Sequence, residues 1–519
     1  MVKRPPLHIM GPSLLVVAAM LVPLAYLVLR AFQADPATVV ELVFRERNLW
    51  LLINTLALTA SVLILTTLIA LPLAWILTRT RIAHKRLLTV LGVVPLAVPG
   101  YVMAYALLGV GGHYGVTAQL FGWQLPRIDG YTGAVLGLSL YTFPYLFLNL
   151  RSALLGLDAN LEESARSMGY SEFAIFRRII LTQLIPSLMA GWLVIGLYTL
   201  GDFGVVALMR YEVFSYAIFN QYSGAFDRIY AAWLSLMLLA IALALVMSES
   251  LILKRRRLAS VGRGVDRHPR PHELGPWRIP AYAFLGLVFA ASIGLPLMIL
   301  AYWLLMAPPD PQFFLEVPVA FARSAGAAMP AAVLAAAMAL PIAYYSVRYP
   351  SPLSNIAERS AYIGYSIPPL TLALALVFFA LQTATFLYQT LALLILGWTL
   401  ATVALALGPI RSTLMQMRPS FEEAAHSLGH SPRSTFVHVV FPHLRKSLFA
   451  SLALVFLFCM KELPITFLLA PTGYTTLAVT VFSRTSEGMM AEAAPFAAAI
   501  ILFSGLSVAL ILNREGARA

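Results

Sequence analysis

The chain has 519 residues, 60% of them hydrophobic and 11% charged, with a formal net charge of +13. An ordinary soluble domain carries about 25% charged residues, so that class is excluded. The single cysteine, Cys459, excludes an intrachain disulfide and any cysteine-based metal cage; it is read as a small apolar filler in a helix.

Twelve apolar runs reach the ~20 residues needed to cross a bilayer. They lie at 11–31, 52–78, 88–111, 131–154, 186–208, 229–253, 279–306, 324–346, 360–382, 391–413, 446–470 and 493–513. Lys3 and Arg4 precede the first run as in a signal peptide. Its apolar stretch is too long and no small-x-small cleavage site follows, so it is read as an uncleaved anchor. With the N-terminus inside, 27 of the 36 Lys and Arg residues fall in or beside inside loops. That bias makes both termini cytoplasmic. The positive charge then answers to anionic lipid, and no basic patch on a folded surface calls for nucleic acid.

The stretch 254–278 has a solvated linker composition, with Lys254-Arg-Arg-Arg257 and His268-Pro-Arg-Pro-His272, and six spans lie on either side. Ala70-Leu-Pro-Leu-Ala-Trp-Ile-Leu-Thr-Arg79 parallels Ala339-Leu-Pro-Ile-Ala-Tyr-Tyr-Ser-Val-Arg348. Six spans restore the orientation, so the repeats are parallel. The expected fold is an all-α membrane protein of twelve transmembrane helices. It divides into a first repeat at 1–253, a linker at 254–278 and a second repeat at 279–519.

Two polar stretches interrupt the apolar chain, Leu161-Glu-Glu-Ser-Ala-Arg-Ser-Met-Gly-Tyr-Ser171 and Phe421-Glu-Glu-Ala-Ala-His-Ser-Leu-Gly-His-Ser431. Each reads as a short helix. Asn160 or Ser420 is the expected N-cap, with Glu163 or Glu423 completing a capping box. Leu157, Leu161, Ala165 and Met168 form an apolar stripe, matched by Met417, Phe421, Ala425 and Leu428. Gly169 and Gly429 supply a left-handed stop, and Ser171 and Ser431 cap the next helix, with Pro432 at its first position in the second copy.

Glu163-Ser-Ala165-x-x-x-Gly169 and Glu423-Ala-Ala425-x-x-x-Gly429 resemble the "EAA" loop of ABC-transporter permeases. In that family the pattern continues as I-x-L-P. Val439-Val-Phe441-Pro442 matches it, while Ile179-Ile-Leu181-Thr182 lacks the proline. The resemblance implies a type I ABC-importer permease fold in the bacterial inner membrane. It implies that the loops at about 157–182 and 417–442 are coupling helices docking on a separate ATP-binding subunit, in two copies. Glu162, Glu163, Ala165, Gly169, Glu422, Glu423, Ala425 and Gly429 are the implied coupling residues. Glu162 and Glu422 are expected to point away from the cap, toward basic residues on that partner. ATP and Mg would be held by the partner chain, since no G-x-x-x-x-G-K-[ST] occurs here. Substrate would arrive on a periplasmic solute-binding protein.

Pro95 and Pro99 in the third span, and Gly364, Pro368 and Pro369 in the ninth, predict bent helices, either lining a pathway or simply kinked for packing. Asp202 and Glu462, 260 positions apart at extracytoplasmic span ends, are candidates for a gate or a binding-protein docking surface. The alternative for them is snorkelling, with Lys461 beside Glu462. Tyr101, Tyr105, Tyr141 and Tyr145 could offer phenolic oxygens to a hard ion, but at spacing four on apolar helices they are read as packing residues. No histidine or carboxylate cluster forms a metal cage.

Gly201-Asp-Phe-Gly204, Lys461-Glu-Leu-Pro464 and Ser486-Glu-Gly with Ala491-Glu-Ala-Ala-Pro495 resemble fused permeases of ferric-iron importers. Relatives with the same plan that move thiamine, and unfused ones that move polyamines or phosphonates, are the alternatives for substrate. From another class, a major-facilitator-type secondary transporter also has two parallel six-span halves. Its usual midplane charges are almost absent here, and the 79–86 loop lacks that family's acidic residue and glycines. A membrane-embedded enzyme would need a convergent nucleophile, metal or acid–base set, and none is seen.

Overall fold

The computed structural model of the chain describes residues 7–157, 159–255, 272–306 and 311–516; the greater part of the 254–278 linker lies outside them. Among the described residues the structure is helical, and Thr80 and His272 form an isolated bridge. Ten helices are long and apolar enough to cross a membrane, and two bent helix pairs bring the total to as many as twelve.

Both bent pairs break at a proline foreseen in the sequence. Lys85–Ala97 and Gly100–Val110 meet at 93°, and Pro352–Ser366 and Pro369–Thr383 meet at 108°. Pro99 and Pro368 sit at the breaks in extended conformation, with ψ of 153° and 133°. Proline has no N–H for the helix ladder and pushes the residue before it out of the helical region; Val98 accordingly has ψ 111°.

The fifth and eleventh spans begin and end earlier than the sequence suggests, at Glu172–Gly201 and Pro432–Met460. Leu181–Gly201 stops before Asp202, and Gly204–Leu208 begins a separate turn. Phe441–Met460 likewise gives way to Pro464–Leu469. The expected spans 186–208 and 446–470 are corrected accordingly. Hydropathy does not register these breaks because the residues on both sides are equally apolar.

In a bilayer, helices gain little from burying apolar surface against one another, so close packing through small residues matters more. Pro311–Arg348 has Ala327, Ala331, Ala335 and Ala339 on one buried face, and it packs along Leu391–Gln416. At Gly191 a Cβ would come within 2.5 Å of Leu146 Cδ1, and at Gly397 within 2.5 Å of Leu469 Cδ1. Alanine at either position would require the facing leucine side chain to shift.

The chain forms two compact units, and they are not its two halves. One holds the described residues of Met1–Arg45, Ala217–Leu239 and Pro309–Thr480. Within it Pro311–Arg348 packs on Leu391–Gln416 and Phe441–Met460, and the opening helix Leu7–Ala31 lies against Pro369–Thr383, Pro352–Ser366 and Pro311–Arg348. The other holds Glu46–Tyr216 with the described residues of Ala240–Pro308 and Val481–Ala519. There Gly130–Leu155 is flanked by Glu46–Arg79, Leu181–Gly201 and Gly100–Val110, and Leu295–Met306 packs on Gly100–Val110 and Met490–Gly516. The first unit thus takes Leu7–Ala31 from the first half of the sequence, and the second takes Leu295–Met306 and Met490–Gly516 from the second half.

Candidate functional sites: two polar loops and two buried acids

The two polar stretches fold alike. Helices Ala159–Ser167 and Ser420–Ser427 end at Gly169 and Gly429, with φ of 81° and 83°. Tyr170 N donates to Ala165 O at 3.1 Å and Gly169 N to Arg166 O at 3.0 Å. His430 N and Gly429 N repeat this with Ala425 O and His426 O, both at 3.0 Å. This is the double closure that satisfies the last carbonyls of a helix through a left-handed glycine. Ser171 Oγ then accepts from Ala174 N and Ser431 Oγ from Ser434 N, both at 3.3 Å, so the expected second caps are present. A five-residue π-turn follows in each copy, Phe176–Ile180 and Phe436–Val440, and leads into the long helix.

The helix starts differ from expectation. Asn160 lies inside the first helix, and Pro419 occupies the N-cap of the second with no side-chain bond, so Ser420 and Glu423 make no capping box there. The glutamates exchange the directions the sequence suggested. Glu163 and Glu423 are exposed. Glu162 and Glu422 turn inward, which corrects the expectation that they reach out to a partner. Adjacent helical residues differ by about 100° around the axis, so one residue of register reverses the assignment.

Each inward glutamate meets the arginine that ends the repeated proline-containing helix. Arg79 Nη2 lies 2.9 Å from Glu162 Oε1 with both side chains buried, an approach by charge that is off the hydrogen-bond axis. Arg348 Nε donates to Glu422 Oε1 at 2.6 Å, and Tyr344 Oη donates to Glu422 Oε2 at 2.5 Å. Arg348 also donates to the carbonyls of Leu414 and Met417, at 3.3 and 3.2 Å. Arg79 and Arg348 were missed as functional residues, although each closes the Ala-Leu-Pro repeat. The loop pair is offset by 260 and the arginine pair by 269, and that double repetition was the available signal.

The apolar stripe divides. Leu157, Ala165, Met417 and Ala425 are buried, while Leu161, Met168, Phe421 and Leu428 are exposed, Met168 and Leu428 by 70% and 80%. Tyr170 and Phe173 are exposed beside the first helix and Val437 beside the second. Thr182, where the first copy lacks proline, closes its hydroxyl on Arg178 O at 2.9 Å.

Asp202 and Glu462 are buried and serve as helix caps. Asp202 Oδ1 accepts from Val205 N at 2.9 Å and from Val206 N at 3.4 Å. Glu462 Oε1 accepts from Ile465 N at 2.7 Å; its Oε2 accepts from Thr466 N, Thr466 Oγ1 and Trp398 Nε1 at 3.0, 2.8 and 2.9 Å. Glu462 thus engages both of its oxygens, whereas Asp202 engages only Oδ1 in its amide bonds. Tyr105 Oη donates to Met490 O at 2.9 Å. Among the described residues no His, Cys, Asp and Glu cluster could hold a metal ion.

A many-span helical chain carrying two copies of a short polar helix, each braced by an ion pair to a spanning helix, defines a membrane permease. The chain belongs to the family described as binding-protein-dependent transport system inner membrane component, whose model matches residues 70–257 and 328–514. It is 31% identical to the Fe(3+)-transport system permease protein FbpB 2 of Haemophilus influenzae, over 98% of this chain and 99% of that one. It is 32% identical to the molybdenum transport system permease protein ModB of Escherichia coli, over 25% of this chain and 58% of that one. The sulfate transport system permease protein CysT of Salmonella typhimurium is 28% identical over 47% of this chain and 91% of its own. The chain is therefore the permease subunit of an ABC-type importer, a transport component rather than an enzyme, and a multi-pass helical membrane protein. The major-facilitator alternative is set aside by that membership. Homology to these permeases implies a partner ATPase and a periplasmic binding protein.

Proposed function

We propose that this permease carries ferric iron, released by a periplasmic binding protein, across the inner membrane under the drive of a separate ATPase. One observation carries the substrate: the likeness to a ferric-iron permease runs end to end, whereas the molybdenum and sulfate relatives match only part of the chain. The test is ATPase activity of the complex reconstituted with its binding protein, with and without ferric iron. Stimulation by the iron-loaded protein is expected. Stimulation only by another loaded ligand, thiamine included, overturns iron.

The same reading assigns the loops 157–182 and 417–442 as coupling elements, each seated on one copy of the ATPase, which holds ATP and Mg. Exposed Leu161, Met168, Phe421 and Leu428 supply an apolar docking face, and Glu163 and Glu423 supply its outward charge. Ala165 and Ala425 fit against the chain's own helices, and Gly169 and Gly429 hold each short helix to one rigid end. Glu162 and Glu422 couple by another route, fastening the loop helix to Arg79 and Arg348 so that movement of the partner reaches a spanning helix. Asp202 and Glu462 act as pivots of an outer gate, fixing where each span ends and the next short helix begins. The repeats are 1–253 and 279–519, joined by the 254–278 linker, with both termini and both loops cytoplasmic.

A further inference from the structure

Asp202 and Glu462 hold corresponding positions but are not equally satisfied. Glu462 uses both oxygens, and the indole of Trp398 is among its donors. Asp202 spends Oδ1 on both of its amide bonds. Its Oδ2 faces Gly100 and lies 3.6 Å from where a Cβ would stand there; Tyr198 Oη is 3.5 Å from the same point. Among the described residues no ion pair reaches Asp202.

Phenols gather around this oxygen. The Tyr141 and Tyr198 rings are 5.1 Å apart, and Tyr145 follows Tyr141 by one turn of the same helix, Gly130–Leu155. Asp202 lies within electrostatic reach of Tyr141 and Tyr198, and Tyr101 within reach of Tyr198. Tyr101 and Tyr141 are buried, while Tyr145 and Tyr198 are half-buried. All five residues belong to one compact unit. The second repeat has none of these phenols. An offset of 260 sets Ala401, Leu405 and Phe458 against Tyr141, Tyr145 and Tyr198, and the span offset of 269 sets Leu370 against Tyr101. Packing alone does not require four hydroxyls in one half and none in the other.

We propose that Asp202 Oδ2 and the hydroxyls of Tyr198, Tyr141, Tyr145 and Tyr101 form a transit site for a hard trivalent cation, ferric iron, in the first repeat only. The inference rests on the iron reading above. A carboxylate within a membrane protein is costly without a positive partner, and oxygen donors suit a hard ion, phenolate being an established iron ligand. On binding, each coordinating phenol releases its proton to water and its oxygen bonds the ion. No redox step is involved. The site assigns a task to residues whose spacing alone reads as packing.

The complete transporter in lipid nanodiscs is titrated with ferric nitrilotriacetate, following the visible phenolate-to-iron charge-transfer band and its resonance Raman signature. A saturable band is expected, lost or weakened about tenfold or more in affinity in Tyr198→Phe and Tyr141→Phe, the scale of one lost contact to a charged group. Tyr302→Phe, a phenol outside the cluster, retains it. Asp202→Asn keeps the amide-capping oxygen while removing the charge, and it also weakens the band. Absence of a band, or an undiminished one in both cluster variants, overturns the site. ATPase stimulation by the iron-loaded binding protein is measured on the same sample. If stimulation persists without a band, the site falls and the iron reading stands; if stimulation is absent, both fall.

Discussion

Arg79 and Glu162 meet at 2.9 Å in a buried ion pair between the end of one spanning helix and the first polar loop. Arg348 and Glu422 repeat it in the second loop, where the glutamate also holds Tyr344 and the arginine two carbonyls. Removing one member of a buried pair strands the other, at about 3–5 kcal/mol. Arg79→Met is therefore expected to strand its glutamate more severely than Arg348→Met, because Glu422 keeps the Tyr344 hydroxyl whereas no comparable donor reaches Glu162 among the described residues. The double variant Arg79→Met/Glu162→Met regains most of the stability while losing transport, because the loop no longer pulls on the helix. Thermal melting of the purified permease and ATP-driven uptake separate the two effects. Uptake at the parental rate in the double variant would remove the pair from the coupling route.

Gly169 and Gly429 sit at φ of 81° and 83°, and no atom lies within 4 Å of the place where a Cβ would be. A side chain there meets no steric obstacle, and the cost is the left-handed backbone itself, about 1–2 kcal/mol. Valine at either position is expected to leave membrane insertion intact and to release the loop's rigid end. The variants then hydrolyse ATP without matching uptake, and the double variant shows the larger loss. Measured together, ATPase and uptake rates test this; a double Gly→Val variant with normal uptake refutes the coupling assignment.

Much of the architecture could be read beforehand, for identifiable reasons. Span number follows from hydropathy, and the breaks at Pro99 and Pro368 follow from a residue that cannot donate to the ladder. The rotation of the loop helices was not legible, because Asn160, Ser420, Glu163 and Glu423 satisfy a capping pattern that the chain does not use in the second copy. What decides between Glu162 and Glu163 is an arginine more than 80 residues away in the chain, invisible to local spacing. The breaks after Gly201 and Met460 depend on a carboxylate reaching the next turn's amides. Tyr198 escaped notice for the same reason, standing alone in its own helix and acquiring company only when Gly130–Leu155 packs beside Leu181–Gly201.

Thr182 stands where the second copy has Pro442, and both follow the same π-turn. Pro442 occupies an early position of its helix, which is the placement a proline tolerates. Thr182→Pro is therefore expected to fold, losing the hydroxyl bond to Arg178 O and changing stability by about 1 kcal/mol or less. A melting shift within that range indicates that the two loops share one backbone geometry. Failure to accumulate in the membrane indicates that the first loop requires the Thr182 N–H.

Glu462 gathers four donors on its two oxygens, three of them amide or indole N–H groups held by the fold. Glu462→Ala leaves Ile465 N, Thr466 N and Trp398 Nε1 without that acceptor in a buried place, each at about 1–3 kcal/mol. Such a loss is comparable to the whole stability of a typical fold. The variant is expected to be degraded or to purify with a sharply lowered melting temperature. Glu462→Gln keeps an acceptor oxygen on each side of the question only in part, since its amide nitrogen cannot accept, and is expected to fall between. Asp202→Asn, by contrast, retains Oδ1 for Val205 and Val206 and changes only the oxygen that faces the phenols. Membrane yield and melting of the three variants order the two acids. Glu462 is the anchor of its turn if Glu462→Ala collapses while Asp202→Asn melts as the parent does, and equal tolerance of all three substitutions rules that role out.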